Sequence, residues 1–240
     1  MHRFANPGRF IRFANTLLPW CAGLTGVLIA AGLYLAFFVA PPDYQQGESV
    51  RIMYVHVPSA WMALFIYVSI AAASAVALIW RHPLADLAAK ASAPIGAGFT
   101  FLALLTGALW GKPMWGTWWV WDARLTSVLV LFFLYLGHMA IMNAFEDPVR
   151  GFRAAAVLAL VGFVNVPIIH FSVEWWSTLH QPSSVLRMGG PAIHPSMLWP
   201  LLVMALGFKF YYVTLLLLRV KSELLDARRR ARTYATLDAA

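Results

Sequence analysis

Four tryptophans fall within seven residues, at Trp115, Trp118, Trp119 and Trp121, and the stretch WGTWWVWDARLT from Trp115 to Thr126 also carries Asp122 and Arg124. Tryptophan gathers at membrane–water boundaries, so an aromatic belt accounts for some of this. It does not account for the density, or for an acid and a base that do not belong deep in hydrocarbon. Flat aromatic faces stack on a flat, apolar ligand with little ordering cost, so the segment reads as a platform. Lys112 or Arg124 can meet negative groups at the edge of such a ligand. On a helix, Trp115, Trp118, Trp119 and Asp122 share a face, with Arg124 opposite. On a strand, Trp115, Trp119 and Trp121 do. Pro113 and Gly116 favour a turn followed by a short tilted helix.

The second chemical signal is histidine. His2, His82 and His138 lack aromatic company and receive no role. His56 stands in Tyr54-Val-His-Val-Pro58, with Pro58 expected in the first turn of the helix that follows. His180 closes Val173-Glu-Trp-Trp-Ser-Thr-Leu-His180, and if the preceding helix continues, Trp176 and His180 share a face. His170 is expected to be buried and to bond Glu174, its i+4 neighbour. His194, beside Pro195, is a rival ligand, and Arg187 is left without a role. A haem is flat, apolar and edged with propionates, and its iron takes two imidazoles. A quinone would use the platform and leave the histidine pair without a purpose. Zinc would need three or four ligands, which only the histidines with Asp122 or Glu174 could supply.

These residues need elements to hold them. The chain has 240 residues, 61% hydrophobic and 12% charged, against about 25% charged for soluble domains. Apolar runs at about 17–40, 58–80, 93–110, 126–145, 154–171 and 197–218 each suit a helix crossing a bilayer. The expectation is one all-α integral membrane domain of six transmembrane helices, with the tryptophan-rich segment 110–126 as an outer loop between helices 3 and 4. Of the 18 basic residues, thirteen lie on the side of the termini, among them Arg3, Arg150, Arg153, Arg219, Arg230 and Arg232. Only Arg51, Lys112, Arg124 and Arg187 lie on the other. The positive-inside rule therefore puts both termini in the cytoplasm, and the net charge of +8 is a topology signal rather than a nucleic-acid footprint.

Two activities are excluded. Cys21 is the only cysteine and no Cys-x-x-Cys-His occurs, so the chain runs no thiol exchange and carries no c-type haem. A haem held here is haem b. Gly107-Ala-Leu-Trp-Gly111-Lys112-Pro113 is one residue short of a phosphate loop and has proline where the magnesium-binding hydroxyl belongs. Gly107 and Gly111 read instead as a G-x-x-x-G for close helix packing.

The segment from Trp115 to Thr126 resembles the "WWD" signature of the haem-handling proteins of cytochrome c maturation. Asp43-Tyr-Gln-Gln-Gly47, Tyr54-Val-His-Val-Pro58, Gly111-Lys-Pro-Met-Trp115, His170-Phe-Ser-Val-Glu-Trp-Trp176 and Leu179-His-Gln181 are similar to the haem exporter protein C (CcmC) family. The resemblance runs from about Pro41 to Gln181; the larger haem lyases of the same signature have many more spans. It implies a bacterial inner-membrane protein whose periplasmic loops present haem, with His56 and His180 as axial ligands. Trp115, Trp118, Trp119 and Trp121 would form the platform. Lys112 or Arg124 would meet propionate, and Asp122 would orient Arg124 or contact the chaperone. It further implies haem transfer, by lyase-like covalent attachment, to a periplasmic haem chaperone. The implied partners are an ABC ATPase on a separate chain, a second membrane subunit and a small single-span subunit. A permease moving haem or another solute is the alternative; its polar candidates, His138, Asn143, Asn165 and Lys209, are scattered.

Overall fold

A computed structural model of the chain describes residues 6–237 apart from Ser183 and Leu186, with side chains as far as Arg229. Arg3, and the side chains of Arg230 and Arg232 counted above, lie outside the described residues. The described chain is helical, with α1 Pro7–Tyr34, α2 Met53–Trp80, α3 Pro83–Trp115, α4 Ala123–Asn143, α5 Pro148–Gly162, α6 Asn165–Trp175 and α7 Pro195–Leu237. Six helical segments are long and apolar enough to cross a membrane, α5 and α6 together making the fifth. A multi-pass membrane protein follows, because only helices satisfy their own backbone polar groups in hydrocarbon.

Each spanning helix begins ahead of its apolar run, and α3, α6 and α7 also continue past the end of theirs. Asn6 caps α1, its Oδ1 accepting from Gly8 N–H at 2.8 Å, and Asp147 caps α5 in the same way through Val149 N–H at 2.9 Å. A five-residue π-helical segment, Leu35–Val39, finishes α1. Arg51, in a short 3₁₀ turn ahead of α2, donates to the carbonyls of Ala36 and Ala40 and so ties this end of α1 to α2. The fifth span is broken between Gly162 and Asn165. Pro167 explains the break, since it cannot donate to the carbonyl of Phe163 and its ring would clash there.

Lipid tails are as apolar as leucine, so the bundle is held by close packing of small residues and by internal hydrogen bonds. α2 lies at the centre, against α3, α5 and α7. Both α2 and α3 bury small residues, Ala63, Ala71 and Ala77 on one and Ala89, Ala93 and Ala97 on the other. Tyr54, Ile66, Tyr67, Leu131, Tyr135, Leu201 and Met204 fill the middle, and Tyr135 Oη donates to the Ala63 carbonyl at 2.7 Å. At one end of the bundle the ends of α3 and α6 and the starts of α2, α4 and α7 converge. The other end carries most of the arginines, among them Arg81, Arg150, Arg153 and Arg219.

Candidate functional site

His56 is set by three elements. α2 begins at Met53, so Pro58 is the sixth helical residue and not in the first turn, and His56 sits on the helix rather than ahead of it. Its ring crosses to α3, where Nδ1–H donates to the Ala103 carbonyl at 3.0 Å and to Thr106 Oγ1 at 3.1 Å. Thr106 Oγ1 donates its own proton to Leu102 O at 2.6 Å, which leaves its oxygen to accept. Both partners of Nδ1 are thus acceptors, the proton is on Nδ1, and Nε2 keeps its lone pair. Gly107 makes the space, because a Cβ there would stand 3.0 Å from His56 Cε1.

The edge of Trp110 closes on the same ring, with centroids 5.7 Å apart. Trp110 is itself held, its Nε1–H donating to Gln46 Oε1 at 2.9 Å. Gln46 belongs to a tight loop built by Asp43, whose Oδ1 accepts from Gln45 and Gln46 N–H, both at 2.9 Å, while Asp43 and Gly47 pair across it. The Asp43–Gly47 motif therefore acts on His56 through Trp110.

His180 comes from the loop after α6. That helix ends at Trp175 and Trp176 is extended, so Trp176 and His180 do not share a helical face. Thr178 holds the loop, its Oγ1 accepting from His180 N–H at 3.1 Å. His180 Nδ1–H donates to the Gln181 carbonyl at 2.9 Å, which again leaves Nε2 as the free nitrogen. The two histidine rings are neighbours, with centroids 6.5 Å apart and planes tilted by 37°, and Trp115 lies 6.4 Å from His180. Burial lowers the His180 pKa below the usual imidazole value, the Gln181 hydrogen bond opposes this, and the Arg124 charge adds to it. The ring is kept neutral, the form that ligates a metal.

The tryptophan segment is not the short helix expected of it. α3 runs on to Trp115, Gly116 turns it off at φ 74°, and the chain is irregular from there to Asp122. Left-handed backbone at Gly116 favours glycine, which has no Cβ to clash there. Lys112 Nζ donates to the Gly116 carbonyl at 3.0 Å and lies 5.8 Å over the Trp118 ring, so it fastens the turn. The extended course then gives an i, i+2 pairing: Trp119 and Trp121 meet edge to face at 5.5 Å. With Phe101, Leu105, Leu129 and Phe132 they border a shallow apolar depression, open to the outside, on the α3–α4 face. Trp118 and Trp121 are 55% and 75% exposed.

Asp122 caps α4, Oδ1 accepting from Leu125 N–H at 2.8 Å. Among the described residues no ion pair joins it to Arg124, so the expected orienting contact is absent. Arg124 points to α6 instead, Nε donating to Ser172 Oγ at 2.6 Å and Nη2 to the His170 carbonyl at 3.3 Å. Its charge sits where the α6 carbonyls end, the favourable place for a cation. Trp119 Nε1 and Asp122 Oδ2 are buried without a hydrogen-bond partner among the described residues.

His170 is exposed rather than buried, its ring edge-on to Phe171 at 4.7 Å, and no hydrogen bond to Glu174 is present among the described residues. His194 caps the start of α7, its Nδ1 accepting from Ser196 N–H at 3.3 Å. Among the described residues no three of histidine, cysteine, aspartate and glutamate gather as a metal site, so zinc has no ligand set. Thr106, Gly107, Gln46 and Ser172 were not singled out by type. Gly107 stood in a motif read as helix packing, and Gln46 stood in a motif with no stated task.

Comparison with known proteins bears on the whole of this arrangement. The family model "Heme exporter protein C" (CcmC) matches residues 1–235. Heme exporter protein C of Bradyrhizobium diazoefficiens is 58% identical over 235 residues, covering 98% of this chain and 88% of the relative. That of Haemophilus influenzae is 52% identical over 231 residues, 95% of this chain and 94% of the relative. That of Escherichia coli K12 is 49% identical over 230 residues, 96% and 93%. With a full-length match of this kind over a six-span bundle, the chain belongs to the heme exporter protein C family.

Proposed function

We propose that the chain binds haem b between His56 and His180 and hands it to a periplasmic haem chaperone during c-type cytochrome maturation. The observation that carries this is the histidine pair. Both rings anchor Nδ1–H on a backbone carbonyl and leave Nε2 free, the arrangement in which a second partner fixes the tautomer of a ligand. The two rings are near enough that one metal ion between them could be held by both, with nitrogen–metal bonds of roughly 2 Å. The observed separation is 6.5 Å. The names of the relatives, which speak of haem export, agree with a haem-sized cargo.

The aromatic and basic residues fit the same cargo. Trp115 flanks His180, and Trp119 and Trp121 meet edge to face on the same loop. Lys112 keeps two further donors beyond its bond to Gly116, and Arg124 keeps its Nη1 side, so each can still meet a propionate. Trp118 and Trp121, exposed at the end of the bundle, are the surface on which the chaperone would dock. The arginines at the opposite end support cytoplasmic termini and a periplasmic site in the bacterial inner membrane. ATP-driven steps would belong to an ABC ATPase on another chain, together with a second membrane subunit and a small single-span subunit.

Haem held here by His56 and His180 would supply an iron that accepts imidazole nitrogens. This chain's residues hold the two nitrogens at one separation, exclude water with tryptophan and present the loaded face outward. The permease reading has less support: Asn165 donates to the Ser127 carbonyl, Asn143 to Met139, and Lys209 lies over the Phe65 ring, so these groups do not line a path. The test is an absorption spectrum of protein purified from haem-replete cells. A low-spin bis-imidazole spectrum that is lost in both His56→Ala and His180→Ala is expected. Unchanged haem content and spectrum in the two variants would refute the ligand assignment.

A further inference from the structure

The six apolar runs carry one charged side chain, Lys209. It lies 14 residues into α7, about 21 Å from the start of the helix at about 1.5 Å per residue, and ten residues, about 15 Å, ahead of Arg219. Phe65, over whose ring Lys209 Nζ sits at 4.4 Å, lies 12 residues into α2, about 18 Å from its start. α2 and α7 both begin at the site end of the bundle, so two helices independently place this ammonium near the middle of the bilayer. Either headgroup layer is well beyond the reach of its four-carbon stem.

Lys209 does not turn inward. It is exposed on the outer surface of the bundle, and among the described residues it forms no ion pair. Its surroundings on that face are Phe65, Val68 and Leu206, each more than a third exposed. The face of one phenyl ring offsets only part of the cost of an ammonium in hydrocarbon. Charged residues in spans otherwise face a bundle interior or pair with a partner.

We propose that the α2–α7 face bearing Phe65, Val68, Leu206 and Lys209 seats a membrane-spanning partner helix that presents a carboxylate to Lys209 at mid-depth. The charge selects the occupant. An anionic lipid headgroup cannot reach the depth, and a second copy of this chain would bring another lysine toward the first. A carboxylate on a partner helix neutralises the ammonium, and the apolar residues around it give the helix its packing surface. The proposal does not depend on the haem site, which lies at the end of the bundle.

The test places a photo-cross-linking residue at Val68 or Leu206, with Val161 on the far helix α5 as control, in membranes of cells expressing the full set of native partners. The expected product at Val68 and Leu206, and not at Val161, is an adduct with one membrane-spanning polypeptide whose span carries Asp or Glu at mid-depth. Lys209→Glu should lower the adduct on the order of tenfold, and exchanging the partner's acid for lysine should restore it. Lys209→Leu, which suits lipid and leaves folding intact, should also lose the adduct while keeping the haem spectrum. An adduct with a second copy, adducts with lipid only, or an undiminished adduct in Lys209→Leu would overturn the proposal. Failure of the haem reading would show instead as loss of the spectrum in the unmodified chain, whatever the cross-link.

Discussion

His56 is positioned by groups that never touch a ligand, and this makes their roles separable. Thr106→Val removes one of the two acceptors of Nδ1–H while keeping the shape of the side chain. Outer-shell losses of this type cost about 10- to 100-fold in affinity, and the lower end is expected because the Ala103 carbonyl remains. Gly107→Ala acts sterically, since its methyl would stand 3.0 Å from the ring. It should weaken haem binding by roughly the same factor without a matching loss of thermal stability. Haem titration alongside melting curves checks both. Equal haem affinity in Gly107→Ala would mean that the ring has room to move. Gln46→Ala is milder, because it frees Trp110 rather than His56.

At the scale of elements, the site depends on how α3 stops and α4 starts. Gly116 holds φ 74°, so Gly116→Val should cost about 1–2 kcal/mol, and Gly116→Asn much less, since asparagine tolerates this conformation. Asp122→Ala removes the cap of α4 at about 1 kcal/mol. Both are read from the melting temperature in detergent. Arg124 joins α4 to the end of α6 through two donors, and Arg124→Lys cannot reproduce that fork. Faster amide exchange in residues 176–194 is expected in that variant, with the rest of the bundle unchanged. No change in that loop would show that Arg124 does not brace it.

For the whole molecule, orientation is the property with the clearest test. The single cysteine, Cys21, is buried at 7% exposure, so the native chain gives a silent background for thiol labelling. A cysteine replacing Trp121 should react with an impermeant maleimide from outside the inner membrane, and one replacing Arg150 should react only after permeabilisation. The reverse pattern would invert the proposed topology and put the haem site in the cytoplasm. At the arginine-rich end, Lys90 and Glu223 join α3 to α7 at 2.8 Å. Both are partly exposed, so Glu223→Gln should lower stability by no more than about 1 kcal/mol.

Composition and periodicity alone determined that the chain spans a membrane six times and which end carries the positive charge. Hydrocarbon imposes these on any sequence, whatever its neighbours. The platform tryptophans and the histidine pair were legible as residue types, because few ligands ask for both. What tertiary packing decided is how they are held. The path of residues 116–122 was misjudged as helix because local propensity could not show that α3 continues to Trp115 and that the Gly116 turn is fastened by Lys112. Arg124 became a brace because its partner Ser172 comes from α6, 48 residues away in sequence. The free Nε2 of His56 exists because Ala103 and Thr106 on α3 occupy Nδ1, a relation between two helices that no spacing along one of them records.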